Sequence, residues 1–173
     1  EEPTWSDATH LVNLSDPKRP KLRASDLGIG SEEQFVVIEN GKPVPHDKAM
    51  EGELEVDTKI KGLELKSTFQ LYKERVMEKS LDEYAEITTI DKQQIIKLAK
   101  TFTSYGKRAA IMAYRGPAMH ENGYYNQRAI VMLNHLIGSY DWKGGNITTG
   151  ASYQEFTGRY DLMTVPDGKK AWG

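Results

Sequence analysis

Residues 109–138 read Ala109-Ala110-Ile111-Met112-Ala113-Tyr114, then a loop from Arg115 to Asn122, then a run through Tyr124 to Ile137 that Gly138 closes. The opening six carry no charge, as expected of a strand covered on both faces. In the closing run Ala129, Ile130, Met132, Leu133, Leu136 and Ile137 recur at helical spacing on one wide face, and a glycine at its end suits a left-handed cap. The spacing predicts a buried strand near 109–114 and a helix near 123–137 packed on it. Strand, loop and helix in that order make the repeating unit of an α/β layer.

Upstream, Asp91 stands as an N-cap with Gln94 three positions on, before Ile95, Leu98, Ala99 and Phe102 line one face. This predicts a helix near 91–105 ended by Gly106. Phe69, Tyr72 and Val76, opposed by Glu74, Arg75, Glu78 and Lys79, predict an amphipathic helix near 68–79. Phe35-Val36-Val37-Ile38 is rich in strand formers and runs into Asn40-Gly41, a tight hairpin turn. The alternation in Glu53-Leu54-Glu55-Val56-Asp57 reads as a second, half-buried strand. Prolines and glycines among residues 1–33 favour turns. The chain therefore divides into an irregular, β-containing stretch with a hairpin over 1–66, an α/β part over 67–150 and an irregular tail over 151–173.

A chain of 173 residues with 38% hydrophobic and 28% charged residues and a net charge of -2 is an ordinary globular composition. It lacks the basic excess of a nucleic-acid binder. With no cysteine, the chain can itself supply neither a disulfide nor a thiolate to a metal or cluster. No apolar run approaches the ~20 residues that span a bilayer. The start at Glu1-Glu2-Pro3 and the stop at Ala171-Trp172-Gly173 lead to the expectation of an excerpt from a longer protein.

Chemistry concentrates in two loops. The first, Arg115 to Gly123, leaves the expected strand and enters the expected helix, where an α/β layer binds ligands and free N–H groups face an anion. Gly116 allows close backbone approach, and Arg115 and His120 offer charge and hydrogen bonds. A plain connection, with Arg115 paired to a nearby carboxylate, is the competing reading. The second loop, Lys143-Gly144-Gly145-Asn146-Ile147-Thr148-Thr149-Gly150, suits a backbone wrapped round a ligand, but on its residues alone a flexible linker leaving the helix layer is the favoured reading. His10, His46, His120 and His135 show no metal-binding spacing, so no metal ligand is assigned.

The run from Ala110 to Gly145, with Leu133, Leu136, Gly138, Asp141, Trp142, Gly144 and Gly145 in sequence, resembles a segment of the molybdopterin oxidoreductases of the dimethyl-sulfoxide-reductase type. Residues 68–145 carry the likeness, which is looser around Thr9-His10-Leu11-Val12. It implies an α/β fold that is part of a Rossmann-like domain binding molybdopterin guanine dinucleotide. It implies an internal piece of a catalytic subunit, inactive alone, whose full chain holds a bis(molybdopterin guanine dinucleotide) molybdenum centre and an iron–sulfur cluster outside this region. Arg115-Gly116-Pro117-Ala118-Met119-His120 and Asn122-Gly123-Tyr124-Tyr125 look most like the subgroup reducing tetrathionate, thiosulfate, polysulfide or arsenate, tetrathionate foremost. The resemblance further implies catalytic roles for Arg115 and His120 and cofactor contacts from Gly116, Asn122, Gly123, Gly144, Gly145, Thr148 and Thr149. Its implied partners are the remainder of the same polypeptide, an iron–sulfur electron-transfer protein and a membrane anchor, on the outer face of the cytoplasmic membrane. A non-catalytic domain binding a small anion or a partner protein is the alternative from another class.

Overall fold

The computed structural model describes residues 7–146, in two compact units that divide after Leu98. Thr148, Thr149 and the tail expected over 151–173 lie outside the described residues.

In the first unit, strands β1 (Leu11–Asn13), β4 (Asp57–Ile60) and β5 (Leu63–Ser67) form an antiparallel sheet in the order β1-β5-β4, and β2 (Val36–Glu39) pairs with β3 (Lys42–Pro45). Both hairpins turn on two residues of positive φ, Asn40-Gly41 and Lys61-Gly62, whose twist matches that of the strands they join. Leu11, Leu22, Ala24, Leu27, Val36, Ile38, Val56 and Leu65 make one buried cluster. The Asn-Gly turn is where the sequence predicts it. The strand expected over 53–57 is not: pairing begins only at Asp57. The backbone of 53–56 makes scattered bonds instead: Glu53 N–H to the Ile38 carbonyl, Val56 N–H to Ser67 Oγ, and Ser67 N–H to the Val56 carbonyl. Ser67, fully buried, also donates to the Leu54 carbonyl and caps α1 (Thr68–Val76) by accepting from Gln70 N–H at 3.0 Å. One hydroxyl thus ends a strand, starts a helix and anchors the preceding loop.

Two more helices follow, α2 (Leu81–Thr88) and α3 (Lys92–Ser104). Asp91 Oδ1 accepts from the N–H groups of Gln93 and Gln94, at 2.9 and 3.1 Å, so the expected N-cap is in place. None of α1, α2 and α3 has a buried residue. Ile87, Ile90 and Leu98 are exposed large apolar side chains.

In the second unit, α4 (Gly123–Leu136) is the expected helix, ended by Gly138 at φ 65°. Its inward face differs from expectation. Leu133 and Leu136 are exposed, whereas Gly123 and Asn134 are the buried residues. The expected buried strand is also corrected: residues 109–114 are neither helical nor paired to a strand. Ala109, Ile111 and Ala113 are half-buried while Ala110, Met112 (85% exposed) and Tyr114 (86%) face outward, so burial alternates as in a strand but on one face only. A strand needs a neighbour, and none is present among the described residues. Asn134, 2% exposed, stands in for one. Its Oδ1 accepts from Ile111 N–H and its Nδ2 donates to the Ile111 carbonyl, both at 2.8 Å. The strands that are formed are all antiparallel, so a Rossmann-like parallel sheet is not formed by the described residues.

Replacing Asn134 with Leu leaves both Ile111 groups without partners, at a cost of about 1–3 kcal/mol per group. Asn134→Asp keeps the acceptor and loses the donor, and should fall between. Amide hydrogen exchange at Ile111 in the intact protein measures both, with Leu speeding exchange most.

His10 gives the first unit a pH dependence. Burial, and then the charge of Lys21, hold its pKa below the ordinary 6.5. The folded state therefore binds this proton less readily than the unfolded chain does. The stability it contributes is present above about pH 6.5 and is lost as pH falls through the unfolded value toward the lower folded one. Exchange protection of the β1–β5 amides should drop between about pH 7.5 and about pH 5.5. His10→Phe, which keeps a ring against Phe35, should reduce that drop.

Candidate functional site

The loop that joins residue 114 to α4 contains one turn of 3-10 helix, Gly116–Ala118, held by Ala118 N–H to the Arg115 carbonyl and Met119 N–H to the Gly116 carbonyl, both at 3.2 Å. Proline at position 117 suits the start of such a turn, where its missing N–H costs nothing. His120 then accepts at its carbonyl from Gly123 N–H at 2.8 Å, which swings the chain into α4. Asn122 occupies the N-cap, yet its side chain makes no capping bond. Beyond it, the N–H groups of Tyr124 and Tyr125 have no hydrogen-bond partner among the described residues, while Asn126 N–H reaches the Asn122 carbonyl. The opening of α4 therefore carries free donors and a positive dipole end.

Arg115, His120 and Asn122 are exposed around this opening, and none of their side chains is engaged by another described residue. A Cβ on Gly116 would meet nothing within 4 Å. Gly123 is different: it is buried, and a Cβ there would collide with the carbonyl of Ala118. One turn further along α4, Gln127 Oε1 is buried with no partner. The structure thus brings Arg115, Gly116, His120, Asn122 and Gly123 together on one loop, with Gly123 serving the packing.

The described part of the second glycine loop, residues 143–146, belongs to a closed turn. Tyr140 and Asn146 form an isolated parallel bridge, Asn146 N–H reaches the Ser139 carbonyl and Gly145 N–H the Trp142 carbonyl. A Cβ on Gly145 would strike the carbonyls of Ser139 and Lys107, and Gly144, at φ 87°, lies against the Arg108 side chain. Lys107 Nζ sits 4.4 Å from the centre of a Trp142 ring. Close packing against the chain itself is sufficient reason for Gly145, and the left-handed backbone for Gly144. Asn134, which sequence reasoning assigned no role, is the residue that connects this turn with the first loop, since its main-chain carbonyl accepts from Ser139 N–H at 3.1 Å. A polar residue at helical spacing among apolar neighbours was the available signal.

An open groove in the first unit, lined by Ile38, Gly41, Pro43 and residues 53, 55–60, contains none of the candidate site residues.

The chain is 45% identical over 160 residues to a selenate reductase subunit of Mesobacillus selenatarsenatis, covering 88% of the chain and 15% of that protein. It is 33% identical over 163 residues to a tetrathionate reductase subunit of Salmonella typhimurium, covering 88% and 16%. To the corresponding tetrathionate reductase subunit of Archaeoglobus fulgidus it is 31% identical over 159 residues, covering 89% and 14%. No protein-family model matches the chain, and no solved structure matches it. The chain spans about 15% of the length of the curated relatives it matches. It belongs to the molybdopterin oxidoreductases, as one segment of their catalytic polypeptide.

Proposed function

We propose that the chain is an internal part of the catalytic subunit of a molybdenum reductase whose substrate is an oxyanion of selenium or sulfur. The observation that carries this reading is the alignment of nearly nine-tenths of the chain with subunits named for selenate and tetrathionate reduction. The higher identity, 45% against 33% and 31%, favours selenate. Tetrathionate, the substrate implied by the wording of the 115–125 loop, is the second reading.

The exposed apolar surface supports the excerpt. Helices α1 to α3 bury no residue, and Met112, Tyr114, Tyr124 and Tyr125 are exposed. Isolated helices of 8–14 residues draw most of their stability from packing, so such faces call for partners. In this reading the remaining length of the catalytic polypeptide supplies them. A strand from it pairs with residues 109–114, whose Met112, Ala113 and Tyr114 backbone groups have no partner among the described residues. That pairing turns the extended segment into an inner strand of a Rossmann-like sheet and sets the Arg115–Gly123 loop at its carboxyl end, where α/β sheets bind ligands.

The residues present fit the polar portion of a molybdopterin guanine dinucleotide. Arg115, His120, Asn122 and the free N–H groups of Tyr124 and Tyr125 are donors at a helix start, open Gly116 admits close approach, and Gln127 Oε1 is an orphaned acceptor nearby in the chain. When bound, the molybdenum centre supplies the two-electron chemistry. The chain's own part is to hold phosphate and heterocycle edges, and to orient an anionic substrate with the Arg115 guanidinium. A paired guanidinium donates two parallel hydrogen bonds to an oxyanion, which a lysine does not reproduce. The iron–sulfur cluster, the electron-transfer and anchor subunits and an extracytoplasmic setting belong to the same proposal.

In the full-length enzyme, Arg115→Lys should lower kcat/KM for the oxyanion by about 1–3 kcal/mol in transition-state terms, with folding and molybdenum content unchanged. Steady-state kinetics on selenate and on tetrathionate, alongside metal analysis, decide the matter. Unaltered kinetics at full occupancy removes Arg115 from substrate binding. A loss of molybdenum reassigns it to cofactor retention.

A further inference from the structure

We propose that Arg23, Lys21 and His46, gathered round the Phe35 ring in the first unit, form a docking site for a small tetrahedral oxyanion of the sulfate type. Residues 21–23 run as extended chain, with Lys21 bridged to Val12 and Arg23 to Phe35. Buried Leu22 points inward between them, so Lys21 and Arg23 leave by the same face, roughly 7 Å apart as alternate residues of a strand are. The Arg23 guanidinium carbon lies 4.0 Å from the Phe35 ring centre, and no carboxylate or carbonyl among the described residues engages it. Stacking fixes its position while leaving its N–H donors free. Lys21 Nζ lies 5.5 Å from the same ring centre.

His46 approaches that ring edge-on, with centroids 5.6 Å apart, and its Nδ1 accepts from Phe35 N–H at 3.1 Å. A backbone N–H only donates, so the neutral imidazole carries its proton on Nε2, as a further donor. His10 stacks on Phe35 at 4.7 Å and meets His46 edge-on at 5.3 Å, and its Nδ1 is buried without a partner. Two carboxylates close in sequence are committed elsewhere: Asp26 to Arg23 N–H and Asp47 to the Gln34 amide, each at 2.9 Å. Asp7 is paired with Lys21. Lys21, Arg23 and Asp7 together leave a charge of one positive unit, and the remaining groups are donors. An anion that accepts at every corner satisfies such a set; a cation is repelled by it, and an apolar ligand leaves its donors unmet. Donors drawn from several chain segments to within a few ångströms of one ring suit an ion of few atoms.

Inorganic sulfate probes this site by binding alone, with no redox reaction involved. In the intact protein, equilibrium dialysis with radiolabelled sulfate at constant ionic strength should show saturable binding that phosphate displaces and chloride does not. Arg23→Gln should weaken it at least tenfold and His46→Phe severalfold. Asp7→Asn should strengthen it severalfold, since Lys21 is then released to the anion, an effect that a purely structural role for the cluster would not produce. Arg23→Lys, which keeps the charge and loses the fork, should bind with intermediate strength and serves if the glutamine variant fails to fold. Sulfate binding that is absent, unchanged by these substitutions, or weakened by Asp7→Asn overturns the proposal.

Discussion

The second unit depends on the carboxamide of Asn134. A side-chain amide presents a carbonyl and an NH2 group side by side, and these meet the C=O and N–H that an extended residue directs to one edge. Both contacts to Ile111 are 2.8 Å. The same residue's main-chain carbonyl takes Ser139 N–H, the Ser139 carbonyl takes Asn146 N–H, and Gly145 lies too close to the Ser139 and Lys107 carbonyls for any Cβ. A single buried amide therefore sets the spacing of residues 107, 111, 134, 139 and 146, and through them of both loops with candidate chemistry. Burying such a group is costly unless every donor and acceptor is met.

That arrangement explains what the sequence disclosed and what it withheld. Local signals translated directly. Asn40-Gly41 made its hairpin, Asp91 capped α3 and Gly138 ended α4, because each acts through its own neighbours. Helix α2 carried an equally local signal that went unused: Ser80 and Glu83 form a reciprocal capping box, with Ser80 N–H to Glu83 Oε2 at 2.7 Å and Glu83 N–H to Ser80 Oγ at 3.2 Å. Non-local outcomes were not legible. Alternation over 53–57 resembled a strand, but the buried Ser67 hydroxyl claimed the Leu54 carbonyl and Val56 N–H before a neighbour did. An apolar run over 109–114 specifies extended backbone with a covering on each side, and only one side is covered by the described residues.

The same distinction separates the two loops as candidate sites. Glycines mark both in the sequence, but glycine records close approach without saying of what. At Gly123 and Gly145 the approaching group is the chain's own carbonyl, whereas Gly116 faces open space beside Arg115 and the uncapped start of α4. The resemblance put both loops toward a cofactor. The geometry separates glycines closely approached by the chain itself from a glycine that faces open space beside residues 115–122.

Under the proposed function, the exposed surfaces follow from the share of the full polypeptide represented. A core assembles in the first unit because five short strands and their turns supply apolar side chains from within about sixty residues of one another. Among the described residues none of α1, α2 and α3 has a fully buried residue, although helices bury an apolar stripe against sheets or other helices in a finished domain. Local hydrogen bonds are complete where caps and turns provide them, while side-chain burial is incomplete where it requires distant chain. Caps and turns are thus fixed within this segment, and under the proposed function the packing of α1 to α3 falls to the rest of a polypeptide whose relatives are some six times as long.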